Sequence, residues 1–314
     1  MTEQDPRRTE HEITVSAAAA DVYRLLAEVE NWPLIFPPSM FVEYAVRGTG
    51  QERIRIWADV NGQIKNWTSH RVLEPGALSI QFRQEVPASP IAAMGGAWVI
   101  EPTGPESCGV RLLHDFRAVG DDPEKLAWIE TAVDRNSRSE LAALRRYAEQ
   151  MASPDALTMT FEDTVRIAGP AKRAYDFIND AQHWPDRLPH VDQVSLREET
   201  PGLQVLSMST RTKDGATHTT ESVRICFPGD RIAYKQTVLP ALLAVHTGCW
   251  QFAEENGTAV VTSRHTVVIN EENIPAVLGD GAGIPEARQF IRAALGGNSL
   301  ATLGHAKEHA EALG

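Results

Sequence analysis

The chain has 314 residues, with 42 Asp and Glu against 30 Lys and Arg and a formal net charge of −12. That acidic balance, without any basic tract, excludes an electrostatic footing for nucleic acid, and no apolar run approaches the roughly 20 residues needed to span a bilayer. Cys108, Cys226 and Cys249 are too few and too scattered for a disulfide framework or a zinc site, and the start lacks the apolar stretch of a secretory signal, so a reducing cytoplasmic setting without metal or cofactor is expected.

A strand over 12–16 opens the chain. Alanine-rich sequence then predicts a helix to about Val29, because alanine loses no side-chain entropy there. Trp32-Pro33 and Pro37-Pro38 break it into a short second helix or turn. Period-two alternation and β-rich composition follow at about 41–47, 51–60, 63–73, 77–85, 94–101 and 108–118. Asn61-Gly62 reads as a two-residue hairpin turn, since both residues tolerate positive φ. Pro75-Gly76 and Thr103-Gly104-Pro105 mark other turns. Pro123 starts a long helix to about Met151, with an apolar stripe of Leu126, Ile129, Val133, Leu141, Leu144 and Tyr147. Ser153-Pro154-Asp155 reads as a linker.

The same order then returns. Tyr23 and Tyr175, Trp32 and Trp184, Pro33 and Pro185, and Trp98 and Trp250 all stand 152 residues apart. Ser69-His-Arg71 recurs at offset 153 as Ser222-Val-Arg224. Two tandem copies follow, with a first domain over 1–152, a linker over 153–157 and a second domain over 158–314. The second copy predicts a strand over 158–168, a helix over 170–181 and strands to about 269. A glycine-rich loop at 279–283 precedes a last helix from Pro285, which Gly296-Gly297 should weaken or bend. Asp214-Gly215 is a turn rather than a calcium loop. Each copy is an α+β unit, a curved antiparallel sheet around a long closing helix, with space for a ligand cavity between them.

Side chains alternate along the strand at 63–73, so Trp67, Ser69 and Arg71 share one face while His70 takes the other. Facing inward, Arg71 is a fixed cation with five donors, suited to a carbonyl or enolate oxygen, and Ser69 orients that oxygen. Facing outward, it is a surface ion-pair partner. In the second copy Val223, Ile225 and Phe227 claim the interior, which would send Arg224 and Ser222 outward. The first copy is therefore favoured for chemistry. Trp32, Trp98, Trp184 and Trp250 are core or pocket wall. His114 and His265 hold matching places before the closing segment, as structural or acid–base groups. Asp134, Asn136 and Ser137 interrupt the helix stripe, echoed by Asn298 and Ser299, and are either surface groups or ligand contacts. No phosphate loop, HExxH or G-x-S-x-G occurs, so any reaction uses proton transfer and oriented binding.

Trp-Pro after the first helix, Trp67-Thr-Ser69-His-Arg71, Trp98 and Asp134-Arg-Asn136-Ser-Arg138 together resemble the aromatase/cyclases of bacterial type II polyketide synthases. The doubling is similar to their di-domain form. The resemblance implies the helix-grip fold of START-domain and birch-pollen-allergen relatives. It implies aldol closure of a first ring, commonly C7–C12, and dehydrative aromatisation of a poly-β-ketone tethered by phosphopantetheine to an acyl carrier protein. Other synthase subunits and a second copy of the chain are further expected partners. Arg71 and Ser69 would activate the chain and His114 would move protons. Trp32, Trp67, Trp98, Asp134 and Asn136, with Ser222, Arg224, Trp250 and His265 in the second copy, would contact substrate. Ser39 stands where the family's pocket tyrosine is expected, and Thr220 replaces Trp67. Arg135, Arg138, Arg145 and Arg146 form a candidate basic rim for the carrier protein or a solvated helix face. A non-catalytic carrier of hydrophobic small molecules and a duplicated interaction domain with closed pockets are the competing readings.

Overall fold

The computed structural model describes residues 5–152, 157–211 and 217–313. Residues 153–156 of the 153–157 linker and the Asp214-Gly215 turn lie outside these residues. Contacts divide the chain into two compact units, Met1–Pro154 and Asp155–Gly314.

The first unit runs β1 (Arg7–Val15), α1 (Ala19–Ala27), α2 (Trp32–Ile35), β2 (Ser39–Arg47), β3 (Gln51–Val60), β4 (Gln63–Glu74), β5 (Ser79–Gln84), β6 (Ile91–Gly104), β7 (Ser107–Ala118) and α3 (Pro123–Ala152). The second repeats it: β8 (Thr158–Ala168), α4 (Ala171–Asn179), α5 (Trp184–Arg187), β9 (Val191–Thr200), β10 (Leu203–Arg211), β11 (Thr217–Phe227), β12 (Arg231–Val238), β13 (Leu243–Glu255) and β14 (Thr258–Ile269). It then adds a short helix, α6 (Ile274–Leu278), before α7 (Ile284–Ala312). Each sheet has seven antiparallel strands, in the orders β1-β7-β6-β5-β4-β3-β2 and β8-β14-β13-β12-β11-β10-β9. This is the helix-grip architecture expected from the sequence, with first and last strands adjacent and the long helix lying on the inner face. No helix among the described residues is long and apolar enough to cross a membrane.

Local chemistry sets these elements. Asn61 and Gly62 both take positive φ, 55° and 80°, so β3 turns directly into β4. Leu112, Phe116 and Val110 alternate inward from β7, and Ile129, Val133, Leu141 and Leu144 face them at helical spacing from α3. Burying these side chains fixes the register that aligns the polar groups described below.

The glycine pair in α7 does not interrupt it. Gly296 lies inside a continuous helix, where a side chain would collide with the Arg292 guanidinium as it reaches Asp163 on β8 at 2.7 Å. In the first unit the polarity is exchanged: His11 on β1 meets Asp134 on α3 at 2.8 Å. Gly296 thus leaves the room that the strand–helix ion pair of the second unit occupies.

Candidate active site

Six inward-facing positions lie in one line across the first sheet: Glu52, Arg71, Phe82, Gly96, His114 and Thr9. Each is directly opposite the next in strand register. The second sheet carries the corresponding line Gln204, Arg224, Tyr234, Gly248, His265 and Phe161. An arginine and a histidine therefore sit in the same geometry in both units, separated by an aromatic residue and a glycine. The glycine has a steric reason. A methyl group at Gly96 would strike the Leu113 carbonyl and the Phe82 ring, and at Gly248 the Tyr234 hydroxyl and the Arg264 carbonyl.

Arg71 faces inward and is 1% exposed. Its Nη2 donates to the Leu26 carbonyl at 2.8 Å and its Nη1 to that of Ala27 at 3.3 Å, both last-turn carbonyls of α1 that lack a helical partner. Nη1 also lies 2.8 Å from Glu52 Oε1, and the guanidinium rests 5.3 Å over the Trp32 ring. The Trp32 indole in turn donates to the Leu26 carbonyl at 3.2 Å. Burial pulls the Arg71 guanidinium down from its usual range and Glu52 pulls it back up. Burial raises the Glu52 carboxyl while Arg71 lowers it. Buried Ser69 donates to the Arg83 carbonyl at 3.2 Å rather than reaching along the line. Of the two orientations open to this strand face the inward one is found, and its cation is engaged by a carboxylate.

Arg224 corrects the sequence reading, which sent it outward. It is 2% exposed, because Ser222, Arg224 and Cys226 occupy the inward face after all. Val223 and Ile225 are buried on the other face, which defeats a choice of side by apolar count alone. Its Nη2 donates to the Ile178 carbonyl of α4 at 2.7 Å, and it lies 5.4 Å over the Trp184 ring. The repeated Trp-Pro thus places an indole against a buried arginine in each unit. The residue opposite is Gln204, whose amide nitrogen donates to Glu198 at 2.7 Å, and Arg224 Nη1 is buried without a hydrogen-bond partner.

At the other end of the line, His114 Nδ1 is 3.4 Å from Ser137 Oγ of α3, and its ring meets Phe82 edge-on at 5.5 Å. Burial first, and His11 second, hold His114 down at about 4. The second unit builds more here. His265 Nε2 is 2.7 Å from Ser299 Oγ and 3.2 Å from Ser263 Oγ, and its Nδ1 is 2.9 Å from His246 Nε2 and 3.1 Å from the Tyr234 hydroxyl. His246 Nδ1 reaches Gln236 Oε1 at 2.9 Å. With Gln236 Oε1 accepting, His246 carries its proton on Nδ1, and its Nε2 accepts from His265 Nδ1–H. His265 Nε2 is then the bare nitrogen that the Ser299 hydroxyl caps. Burial holds His246 at about 3 and His265 at about 4, so both are neutral bases at pH 7. Burial raises the Tyr234 hydroxyl. In the first unit Met94 and Phe82 stand at the positions of His246 and Tyr234.

The remaining candidates separate. Trp98 is buried and stacks on Phe36 at 6.3 Å, and Trp250 is buried among Phe252, Ile232 and Val261. Half-buried Trp67 packs with Ile54 and Ile56, away from the histidine. Half-buried Ser222 is opposite Gln236. Asn136 is exposed on α3, off the stripe that presents Ser137, so it does not face the line. Asp134 is held at the helix flank by Arg138 and His11, which keep its carboxyl at about 2. Sequence reasoning missed Glu52, Gln204, His246 and Glu140. Glu140 shares the α3 face of Val133, Ser137 and Leu144, has no ion-pair partner among the described residues, and is raised by burial to about 7. The signal was available in Glu52, a carboxylate in phase with Ile54, Ile56 and Ala58. A concavity of about 980 Å³ lies against the first sheet, lined by His70, Gln81, Arg83 and Leu113 together with Phe82, Gly96 and His114 of the line.

Comparison with known proteins agrees with this doubled design. The profile of the family described as polyketide cyclase / dehydrase and lipid transport matches residues 6–149 and again 158–311. The chain is 46% identical over 296 residues to the granaticin polyketide synthase bifunctional cyclase/dehydratase of Streptomyces virginiae, covering 94% of this chain and 97% of that one. It is 45% identical over 316 residues to the actinorhodin polyketide synthase bifunctional cyclase/dehydratase of Streptomyces coelicolor, covering 98% of each. The crystal structure of the di-domain ARO/CYC BexL from the BE-7585A biosynthetic pathway superposes with a TM-score of 0.93 at 60% identity, over 97% of this chain and 99% of that one. StfQ from the steffimycin biosynthetic pathway, also a di-domain ARO/CYC, gives 0.88 at 34% identity, over 96% and 98%. Matched in both halves by its profile and over nearly its whole length by these relatives, the chain belongs to the polyketide cyclase/dehydrase and lipid transport family.

Proposed function

We propose that this chain is a polyketide aromatase/cyclase that closes the first six-membered ring of a poly-β-ketone, at C7–C12, and removes water to aromatise it. The substrate is tethered to an acyl carrier protein and supplied by other subunits of a type II synthase. The observation that carries this reading is the arginine-to-histidine line, built in both units of a chain whose full-length relatives are cyclase/dehydratases.

The residues suit the reaction. A methylene between two carbonyls is already acidic, so a neutral buried imidazole can take its proton, and a guanidinium along the line stabilises the enolate oxygen. The enolate carbon attacks the facing carbonyl carbon, whose oxygen takes a proton to become the ring hydroxyl. Dehydration then removes a further ring proton and expels that hydroxyl as water. Glu140, one turn of α3 beyond the Ser137 that meets His114, is the carboxyl assigned to protonate the departing oxygen, and its rise to about 7 by burial suits that role. Exposed Arg135, Arg138, Arg145 and Arg146 on α3 support docking of an acidic carrier.

The test is a minimal synthase reconstituted with and without this chain, with ring connectivity read by NMR after labelled acetate incorporation. Replacement of shunt products by one C7–C12 aromatic product supports the reading. An unchanged distribution with both reduced and unreduced chains overturns it in favour of a small-molecule carrier.

A further inference from the structure

The two units place their arginines alike but balance them differently. Arg71 faces Glu52 across one strand pair and is ion-paired to it at 2.8 Å. Arg224 faces Gln204, whose amide is turned to Glu198, and Nη1 of Arg224 is buried with no hydrogen-bond partner. The next residue on each line differs in the same sense. Phe82 offers Arg71 no polar group, whereas Tyr234 presents a hydroxyl that already reaches His265 at 3.1 Å and keeps part of its surface open. Burial pulls Arg224 down and Glu198, behind the Gln204 amide, pulls it back up, but Glu198 forms no ion pair with it among the described residues. An unused buried donor beside a phenol and a neutral imidazole suits an oxyanion.

We infer that the second unit holds the enolate charge, on Arg224 Nη1 with Tyr234 beside it, and that the Glu52/Gln204 exchange determines which unit can do so. The inference rests on the reading that the substrate passes through an enolate. In the first unit Glu52 already neutralises the cation, and a second anion there would be repelled by the carboxylate. In the second unit the amide leaves the charge available. Gln236, His246 and His265 continue from Tyr234 as an uninterrupted hydrogen-bonded chain, so a proton lost by the methylene has a base within the same unit.

Benzoylacetone, a small β-diketone whose enolate absorbs in the near ultraviolet, tests this on the full-length protein. Enolate absorbance gives affinity, stoichiometry and the ionisation of the bound probe. One site per chain, with the bound probe ionising at lower pH than the free probe, is expected from the wild type. No binding, or two equivalent sites, would overturn the inference. Gln204→Glu adds a counter-charge without removing the arginine, and Arg224→Gln removes the cation. Each should weaken binding at least tenfold, whereas Arg166→Gln, at an exposed ion pair with Glu255 on the second sheet, should leave it within twofold. Loss of binding in Arg71→Lys but not in Gln204→Glu would assign the charge to the first unit instead. If Arg224-dependent enolate binding is found but the reconstituted synthase makes the same products with and without the chain, the cyclase reading fails while the oxyanion site stands.

Discussion

Arg71 Nη1 lies 2.8 Å from Glu52 Oε1 inside a sheet where the two residues are 1% and 5% exposed. The arginine also closes the C-terminus of α1, so the pair joins β3, β4 and α1 at one point. Removing one member of such a pair strands the other charge in a medium that solvates it poorly. Glu52→Ala is expected to lower unfolding stability by about 3–5 kcal/mol. The double change Glu52→Leu with Arg71→Met should cost less than the two single changes combined, as urea unfolding would show. Additive losses would mean that the charges do not compensate each other.

Gly248 leaves the space through which Tyr234 meets His265. Gly248→Ala should destabilise the protein by about 1–3 kcal/mol, as overpacking of a filled interior does. It should also move the Tyr234 and His265 resonances together in NMR spectra. A wild-type melting temperature with unchanged resonances would contradict this steric account.

Acid should weaken the protein through its neutral histidines. Burial holds His246 at about 3 and His265 at about 4 in the folded state, against 6.5 for the free side chain. Below 6.5 the unfolded chain takes up protons that the folded state refuses, so stability present above that pH is lost as pH falls towards 4. At pH 5 the loss is about 2 kcal/mol for each histidine. His246→Met, which installs the residue found at this place in the first unit, should remove about that much of the pH 7 to pH 5 difference.

Glu140 has the opposite pH dependence. Its folded value of about 7 exceeds the free value of 4.5, so its contribution is fully present below 4.5 and lost as pH rises through 7. Glu140→Gln should therefore stabilise the protein by about 2 kcal/mol at pH 8 and leave it unchanged at pH 4.5, allowing for the part of the side chain that remains exposed. Unfolding titrations at the two pH values check the sign.

Much of this was legible in the residues. The 152-residue offset of the Trp-Pro pairs exposed the duplication, and alternation in β3, β4 and β7 placed strands within a residue or two. Alternation in β4 put Trp67, Ser69 and Arg71 on one face but left open whether that face looks inward, which the burial of Ser69 and Arg71 decides. Two features could not be read this way. Val223 and Ile225 misdirected Arg224 because β11 is buried on both faces, and an alternation rule assumes one wet side. The His246–His265 pair depends on register between β13 and β14, a long-range property that no local spacing reveals. Asn136 was read with Ser137, although neighbours on a helix point about 100° apart and only Ser137 faces the sheet.

In the proposed reaction the neutral imidazole on this line moves the proton during ring formation. The most direct measurement is the yield of aromatised product per folded chain in a reconstituted synthase, comparing wild type with His265→Gln across pH 5 to 8. The account predicts a fall of about 100-fold or more at every pH, with folding intact by circular dichroism and carrier-protein binding unchanged. A His265→Gln variant that aromatises at the wild-type rate would contradict it.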